Sequence, residues 1–514
     1  MTTKYYLFNS TMRRFYLCFR HFYLPKSDSN LVLNTHPKRT ISKAMKHAVI
    51  GSRPLATSFL CVASFLVVSA VQAAPQIPPA AQSGPILITG ATLHTVTGPV
   101  IANGQLLFDK GRIVAVSDGA NPPRVSGATV IDLKGKHIYP GFISANSAIG
   151  LTEVQSVRAT VDTAEVGAIN PNARALTAIN PDSEIIPVTR ANGVLTVLAA
   201  PRTGRGGIVA GTSALIRMDG WTWEDMAIER EVALHVSLPR LRFNADLYKD
   251  GNSGAEAEVL IDDLRKQSAK QITALEDAFE SAAAYALAKA NGDVKKIDVR
   301  WEAMLPVFLS TNPSSQPGAQ RPVFIQADDA AQIRYALNFA ERFKLNITLV
   351  GGADSWRMSE LLRERNVAVI IDSVHQLPQR RGENYDAPYA LAGLLAKAGV
   401  RFCIARPGDT FAANAERNLP FEAATAIAYG LPADEALKAI TLYPAQILGV
   451  ADRLGSIDVG KQATFIVTDG DPLEISTHVE QAYIQGRRID LSNRQLQLKD
   501  KYEEKYRQLK AQGK

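Results

Sequence analysis

Once the first 73 of its 514 residues are set aside, the chain keeps five histidines and one cysteine as its side chains best suited to chemistry. The histidines are His94, His137, His235, His375 and His478. His375 ends the stretch Asp372-Ser373-Val374-His375, just after the apolar run Val367–Ile371, where a strand would give way to a loop. There an imidazole would act as a general base, with Asp372 nearby, or as a lone metal ligand. His235 lies inside the apolar Ala233-Leu234-His235-Val236 and reads as an enclosed, satisfied ring. Arg202-Thr203-Gly204-Arg205-Gly206-Gly207 follows another apolar run. Its two guanidinium groups and glycine-rich backbone suit an anion, and equally suit a plain turn. Cys403, in Val400-Arg401-Phe402-Cys403-Ile404, reads as a small buried hydrophobe. A single cysteine permits neither an intrachain disulfide nor a cysteine metal site. No Ser-His-Asp arrangement, phosphate loop or repeat stands out.

The charge balance narrows the partners. The net charge is +7, but ten of the 57 Lys and Arg and only one of the 50 acids fall in residues 1–73, leaving the remainder at −2. The basic character belongs to the leader, so nothing in the chain beyond it argues for nucleic acid or an anionic membrane. The leader itself reads as export machinery. Met45, Lys46, His47 and Arg53 form a basic start, Leu55–Val71 is apolar, and Val71-Gln72-Ala73 offers small residues for cleavage after Ala73. Met45 is the expected initiator. The apolar stretch is short and interrupted by Thr57, Ser58, Ser64 and Ser69, which favours a cleaved signal over a membrane anchor. A secreted or periplasmic protein is expected, touching a membrane only if the signal stays uncut. Cys18 and Cys61 leave with it.

The elements that must position the candidate groups are legible in the hydrophobic pattern. Residues 74–84 form a Pro-rich linker. Short β-type runs follow at Ile86–Thr89, Gln105–Asp109, Arg112–Val116 and Thr129–Leu133, and a matching set closes the chain at Phe465–Thr468, Ala482–Gln485 and Arg488–Leu491. The two sets predict a composite β domain of residues 85–139 and 453–491. Between residues 140 and 452 apolar strands alternate with helical periodicity, as in Val323–Gln326 before Ala330–Phe343. Alternation of this kind points to parallel strands joined by right-handed crossovers. The fold class expected is α/β: a (β/α)8 TIM-like barrel with a small β-sandwich domain built from the N- and C-terminal segments. An Ala-, Glu- and Lys-rich insertion at residues 254–295 reads as a surface helical hairpin, and residues 492–514 as a charged terminal helix.

Two stretches carry a family resemblance. Pro140-Gly141-Phe142-Ile143-Ser144-Ala145-Asn146-Ser147-Ala148 resembles the first barrel strand of the amidohydrolase superfamily, where Pro-Gly and two aliphatics precede Asp-x-His-x-His. Ala436–Leu448 with Leu454-Gly455-Ser456-Ile457-Asp458-Val459-Gly460-Lys461 resembles that family's last barrel helix and its return to the β domain. Together with the N-terminal strands, the resemblance covers roughly residues 85–490. It implies hydrolysis of non-peptide C–N bonds by one or two divalent ions, usually zinc, that activate a water.

The same resemblance fixes where the ligands belong, and this chain departs from the pattern at each place. Ser144 stands at the aspartate position of strand one, and Asn146 and Ala148 stand at its two histidines. Gln326 and Gly351 occupy the histidine positions of strands five and six. Arg406-Pro407 replaces Thr-Asp after strand eight, with Asp409 two residues further on as the remaining carboxylate. The expectation is a degenerate centre with no metal and no cofactor, acting as a ligand- or partner-binding barrel. Self-association, or pairing with an active relative, follows by analogy. The alternative is an active mononuclear hydrolase of a cyclic amide or dipeptide-like substrate, built from His375, Asp409 and Gln326.

Overall fold

The structure is a computed structural model. It describes residues 76–513 apart from 121–122, 124, 244–253 and 309–319. The expected signal, with Met45 and the cut after Ala73, lies outside the described residues, as do Cys18 and Cys61. Among the described residues no helix is long and apolar enough to cross a membrane.

Five N-terminal strands, β1 (Ile86–Leu93), β2 (Ile101–Asp109), β3 (Arg112–Ser117), β4 (Thr129–Asp132) and β5 (His137–Pro140), begin the chain's first sheet. Nine further strands follow in the centre: β6 (Phe142–Ser147), β7 (Val194–Ala199), β8 (Val209–Thr212), β9 (Ala214–Arg217), β10 (Ala227–Glu229), β11 (Leu234–Ser237), β12 (Val323–Ala327), β13 (Ile347–Gly351) and β14 (Ala368–Ile371). β15 (Phe402–Ile404) ends the central set, and β16 (Phe465–Thr468), β17 (Val479–Ile484) and β18 (Arg487–Ile489) return to the first sheet. That sheet runs β18-β17-β16-β5-β1-β2-β3, with β4 beside β1, so both ends of the chain share one ladder. Its alternating apolar residues bury a separate core around Phe108, Phe465 and Tyr483. The N-terminal linker is not a free tether, because Gln82 donates to the carbonyl of Phe108 at 3.0 Å and accepts from the amide of Gly111 at 2.9 Å.

β5 runs directly into the barrel through Pro140-Gly141. A Cβ at Gly141 would approach Leu195 to 2.7 Å, so only glycine lets β6 settle against β7. β6 and β7 pair in parallel, as do β11 through β15 in sequence, and β15 comes back to the side of β6. The stave between β7 and β11 differs. β8 and β9 form one extended segment broken at Ser213; β9 pairs antiparallel with β7 and β8 antiparallel with β11. The short glycine-rich stretch 200–208 explains the reversal, since a hairpin needs only a few residues and a parallel return needs a crossover. The Arg202–Gly207 run is therefore the turn that places Arg202 at the C-terminal end of β7.

The segment expected as a surface hairpin over residues 254–295 is instead one helix, Gly254–Ala290, whose partner is the helix Val299–Phe308. No Pro or Gly interrupts residues 255–290, and the first breaker is Gly292, in the left-handed region at φ +78°. Nor does it lie wholly on the surface: Phe279 is fully buried, with ring centroids 4.8 Å from Phe339 and 5.6 Å from Phe343. The terminal helix Arg494–Ala511 buries no residue and is capped by Asn493, whose side chain accepts from the amide of Gln495 at 3.0 Å. Phe279→Ala is expected to cost about 3–5 kcal/mol in equilibrium unfolding, as a large aromatic lost from a closed cluster does. A cost below about 1 kcal/mol would show that the long helix is not docked on the barrel.

Candidate functional site

The barrel strands are buried along most of their length, and on β11 and β12 partly open positions alternate with core residues and face the lumen. On β11 these are His235 and Ser237, and on β12 Gln326. Arg202 joins them from the end of β7, Asp328 from the end of β12, Asp372 from the end of β14 and Asp409 from the loop after β15. Half-buried Arg202 loses some of its basicity to burial, while Asp372, Asp409 and Asp328, in that order, oppose the loss. Gln326 holds two of these acids. Its amide nitrogen donates to Asp372 Oδ2 at 3.3 Å, and it hydrogen-bonds Asp328 as well. Burial, together with Asp372, pushes the Asp328 carboxyl up to about 7, and burial raises that of Asp372. His235 is driven the other way, down to about 3, by its enclosure and by the Arg202 charge. Its ring meets Phe324 edge-on at 5.4 Å, and Nε2 has no hydrogen-bond partner among the described residues.

The positions that resemble metal ligands are occupied by other business. Asn146 is buried and donates through Nδ2 to the Arg406 carbonyl at 3.4 Å, while its Oδ1 fills the space a Cβ at Gly408 would need. Ala148 is fully buried in the main apolar core. Gly351 adopts a left-handed φ of +89°, and the Asp328 carboxylate lies where its Cβ would be. A histidine at 351 would therefore face both backbone strain and a collision. Among the described residues no group of three or more His, Cys, Asp or Glu can hold a metal ion. The donor chemistry agrees. Two of the four positions offer no donor atom, two offer only neutral amides, and the Arg202 charge acts on the acids that a dication would need. The residues present do not fit the family's metal.

His375 belongs to a second network. His375 Nδ1 lies 3.3 Å from Glu422 Oε1, and its Nε2 is 2.6 Å from Thr425 Oγ1. Glu422 is fully buried, accepts the amides of Val374 and His375 at 2.6 and 2.8 Å, and forms an ion pair with Arg406. Glu416, also fully buried, accepts from Ser147 Oγ at 3.2 Å. Its carboxyl is pushed up to about 7 by burial, against the opposing pull of Ser144 and Arg406. Asp409 Oδ1 caps the turn that follows it, accepting the amides of Phe411 and Ala412, each at 2.8 Å. The loop glycines leave Arg205 exposed, whereas Arg202 is balanced from within the protein.

Sequence reasoning named Gln326 and Arg202 but assigned no role to Asp328, Glu416 or Glu422. A signal existed for Asp328, since Gln326-Ala327-Asp328-Asp329 puts carboxylates just past a strand end. Nothing in Asn414–Ala423 distinguishes its two buried glutamates from a solvated helix face.

Residues 342–492 match the model of the amidohydrolase family. An amidohydrolase from Thermotoga maritima MSB8 shares the fold at a TM-score of 0.65 and 25% identity, over 78% of this chain and 99% of that one. Amidohydrolase tasK of Hapsidospora irregularis is 23% identical over 416 residues, which is 74% of this chain. The matched region spans 39% of that relative's own length.

A buried carboxyl with a raised pKa is held in its protonated form by the fold. The stability that Glu416 contributes is present below its ordinary pKa of 4.5 and is lost as pH rises toward about 7. Glu416→Gln should flatten the fall in melting temperature between about pH 5 and about pH 8. An unchanged slope would remove Glu416 as its source.

Proposed function

We propose that this chain, which belongs to the amidohydrolase family of hydrolases, uses its barrel lumen to bind a small polar ligand and does not run metal-centred hydrolysis. One observation carries the reading: at the strand ends where the family would gather a dication, Gln326 ties Asp372 to Asp328 and the positive charge of Arg202 acts on both. Arg202 offers donors to a carbonyl or carboxylate, and Asp328 and Asp372 offer acceptors to N–H or ammonium groups. A ligand presenting both kinds of group within a few ångströms, such as an amino acid, a dipeptide or a cyclic amide, complements that arrangement. The reading takes the protein to be exported through residues 45–73 and to associate with itself or with an active barrel of its family; sequence alone supports both points.

A reduced metal site using His375, Asp409 and Gln326 is disfavoured because each is already engaged: His375 with Glu422 and Thr425, Asp409 as a cap, Gln326 with two acids. Elemental analysis after purification with added zinc or manganese should find well below one metal per chain. Turnover across amide, lactam and dipeptide panels should be absent. Calorimetric titration with amino acids and dipeptides should show binding that Arg202→Met weakens at least about tenfold. A full metal complement together with hydrolysis abolished by chelation would overturn the proposal.

A further inference from the structure

Opposite the lumen mouth, at the N-terminal ends of the staves, a cavity of about 650 Å³ opens between the first sheet and the barrel. Its wall carries Lys110, Arg112, Arg217 and Arg487, with Asp225 as the one acid and Trp221 at the rim. Local structure accounts for each. Lys110 and Gly111 form the β2–β3 turn in the left-handed region, at φ +48° and +76°, and hold Lys110 and Arg112 out over the opening. Arg217 ends β9, and Arg487 begins β18. Arg112 is steadied by a 2.8 Å bond from Nη1 to the Gly460 carbonyl.

These cations are poorly compensated. Asp219, buried behind the wall, divides one carboxylate between Arg190 and Arg487, with nitrogen–oxygen distances of 3.2 Å to each. Arg217 has no ion pair among the described residues, and its buried Nε has no hydrogen-bond partner there. Burial first, and then the neighbouring Arg487, act against its charge and outweigh the support of Asp219 and Asp225. Counting Lys110, Arg112, Arg217 and Arg487 against Asp225 leaves the wall at about +3, with Asp219 offset by Arg190. Arg217 and Arg487 are half-buried side by side while Lys110 and Arg112 stay exposed at the opening, and a buried guanidinium N–H left unpaired is a group that awaits a partner. The chain beyond residue 73 carries −2 overall, so this is a local feature and not part of a general basic surface.

We propose that this cavity is a binding site for a small multiply charged oxyanion, a phosphate ester or a polycarboxylate. Guanidinium forks match tetrahedral and planar oxyanions with paired N–H donors. The volume accommodates an organic remainder, and the indole of Trp221, 62% exposed, gives that remainder an apolar face. The site is independent of the lumen and of any ligand bound there.

Titration calorimetry and thermal unfolding with inorganic phosphate and with citrate, against sodium chloride at equal ionic strength, test the proposal. Saturable binding and a rise in melting temperature are expected with one or both anions and not with chloride. The tighter of the two identifies the ligand class. Arg217→Gln should weaken binding at least about tenfold. Lys110→Asn should also weaken it, and asparagine is well suited to the left-handed turn, so that variant keeps the fold. Lys510→Gln, on the exposed terminal helix, controls for net charge and should change nothing. No saturable response to either anion would overturn the site. So would a response matched by chloride, or one equal in wild type, Lys110→Asn and Arg217→Gln.

Discussion

Arg202 leaves β7 at the start of a hairpin turn, and its charge faces Asp372, Asp409 and Asp328 from three other strand ends. Much of the lumen follows from that placement. The guanidinium opposes the effect of burial on the Asp372 carboxyl, which burial still raises. Burial first, and then the neighbouring Arg202 charge, keep His235 uncharged, so it stands in the lumen as a neutral ring packed against Phe324. Gln326 divides its hydrogen bonds between two of the carboxylates, and Asp328 then fills the volume beside Gly351. A side chain at 351 would have to displace that carboxylate.

The network around Arg406 supports the same strand ends from behind. Glu422 ties the backbone after β14 to the helix Leu419–Ala428 through two amide bonds, and its ion pair with Arg406 adds the end of β15. Glu416 reaches β6 through Ser147. A buried carboxylate that accepts several donors is costly to disturb, because every donor is left unpaired when it goes. His375 belongs to this framework: its two ring nitrogens are taken up by one helix.

Pairing of the chain ends in one sheet has a structural consequence at the other face. β5 continues into β6 through Pro140-Gly141, and β16 pairs with β5, so the first sheet is bolted to the barrel beside the entry of its first stave. The basic cavity lies along that junction, lined by the β2–β3 turn on one side and the end of β9 on the other. It exists because β9 runs antiparallel and delivers Arg217 to the face opposite the lumen.

Residue order alone determined the alternation of strand and helix, the sheet shared by both termini, and the absence of imidazole donors at positions 146, 148, 326 and 351. Those are local properties, set by hydrophobic period, turn residues and side-chain identity. It also placed Arg202 after a strand, though not among acids. The antiparallel stave, the bridge from Gln326 to Asp328 and Asp372, and the burial of Glu416 and Glu422 were decided only by the tertiary structure. Each depends on which strand ends and helices the closed barrel brings together. Arg202 and Asp372 are 170 residues apart in the chain, and no local pattern encodes the charge that one will feel from the other.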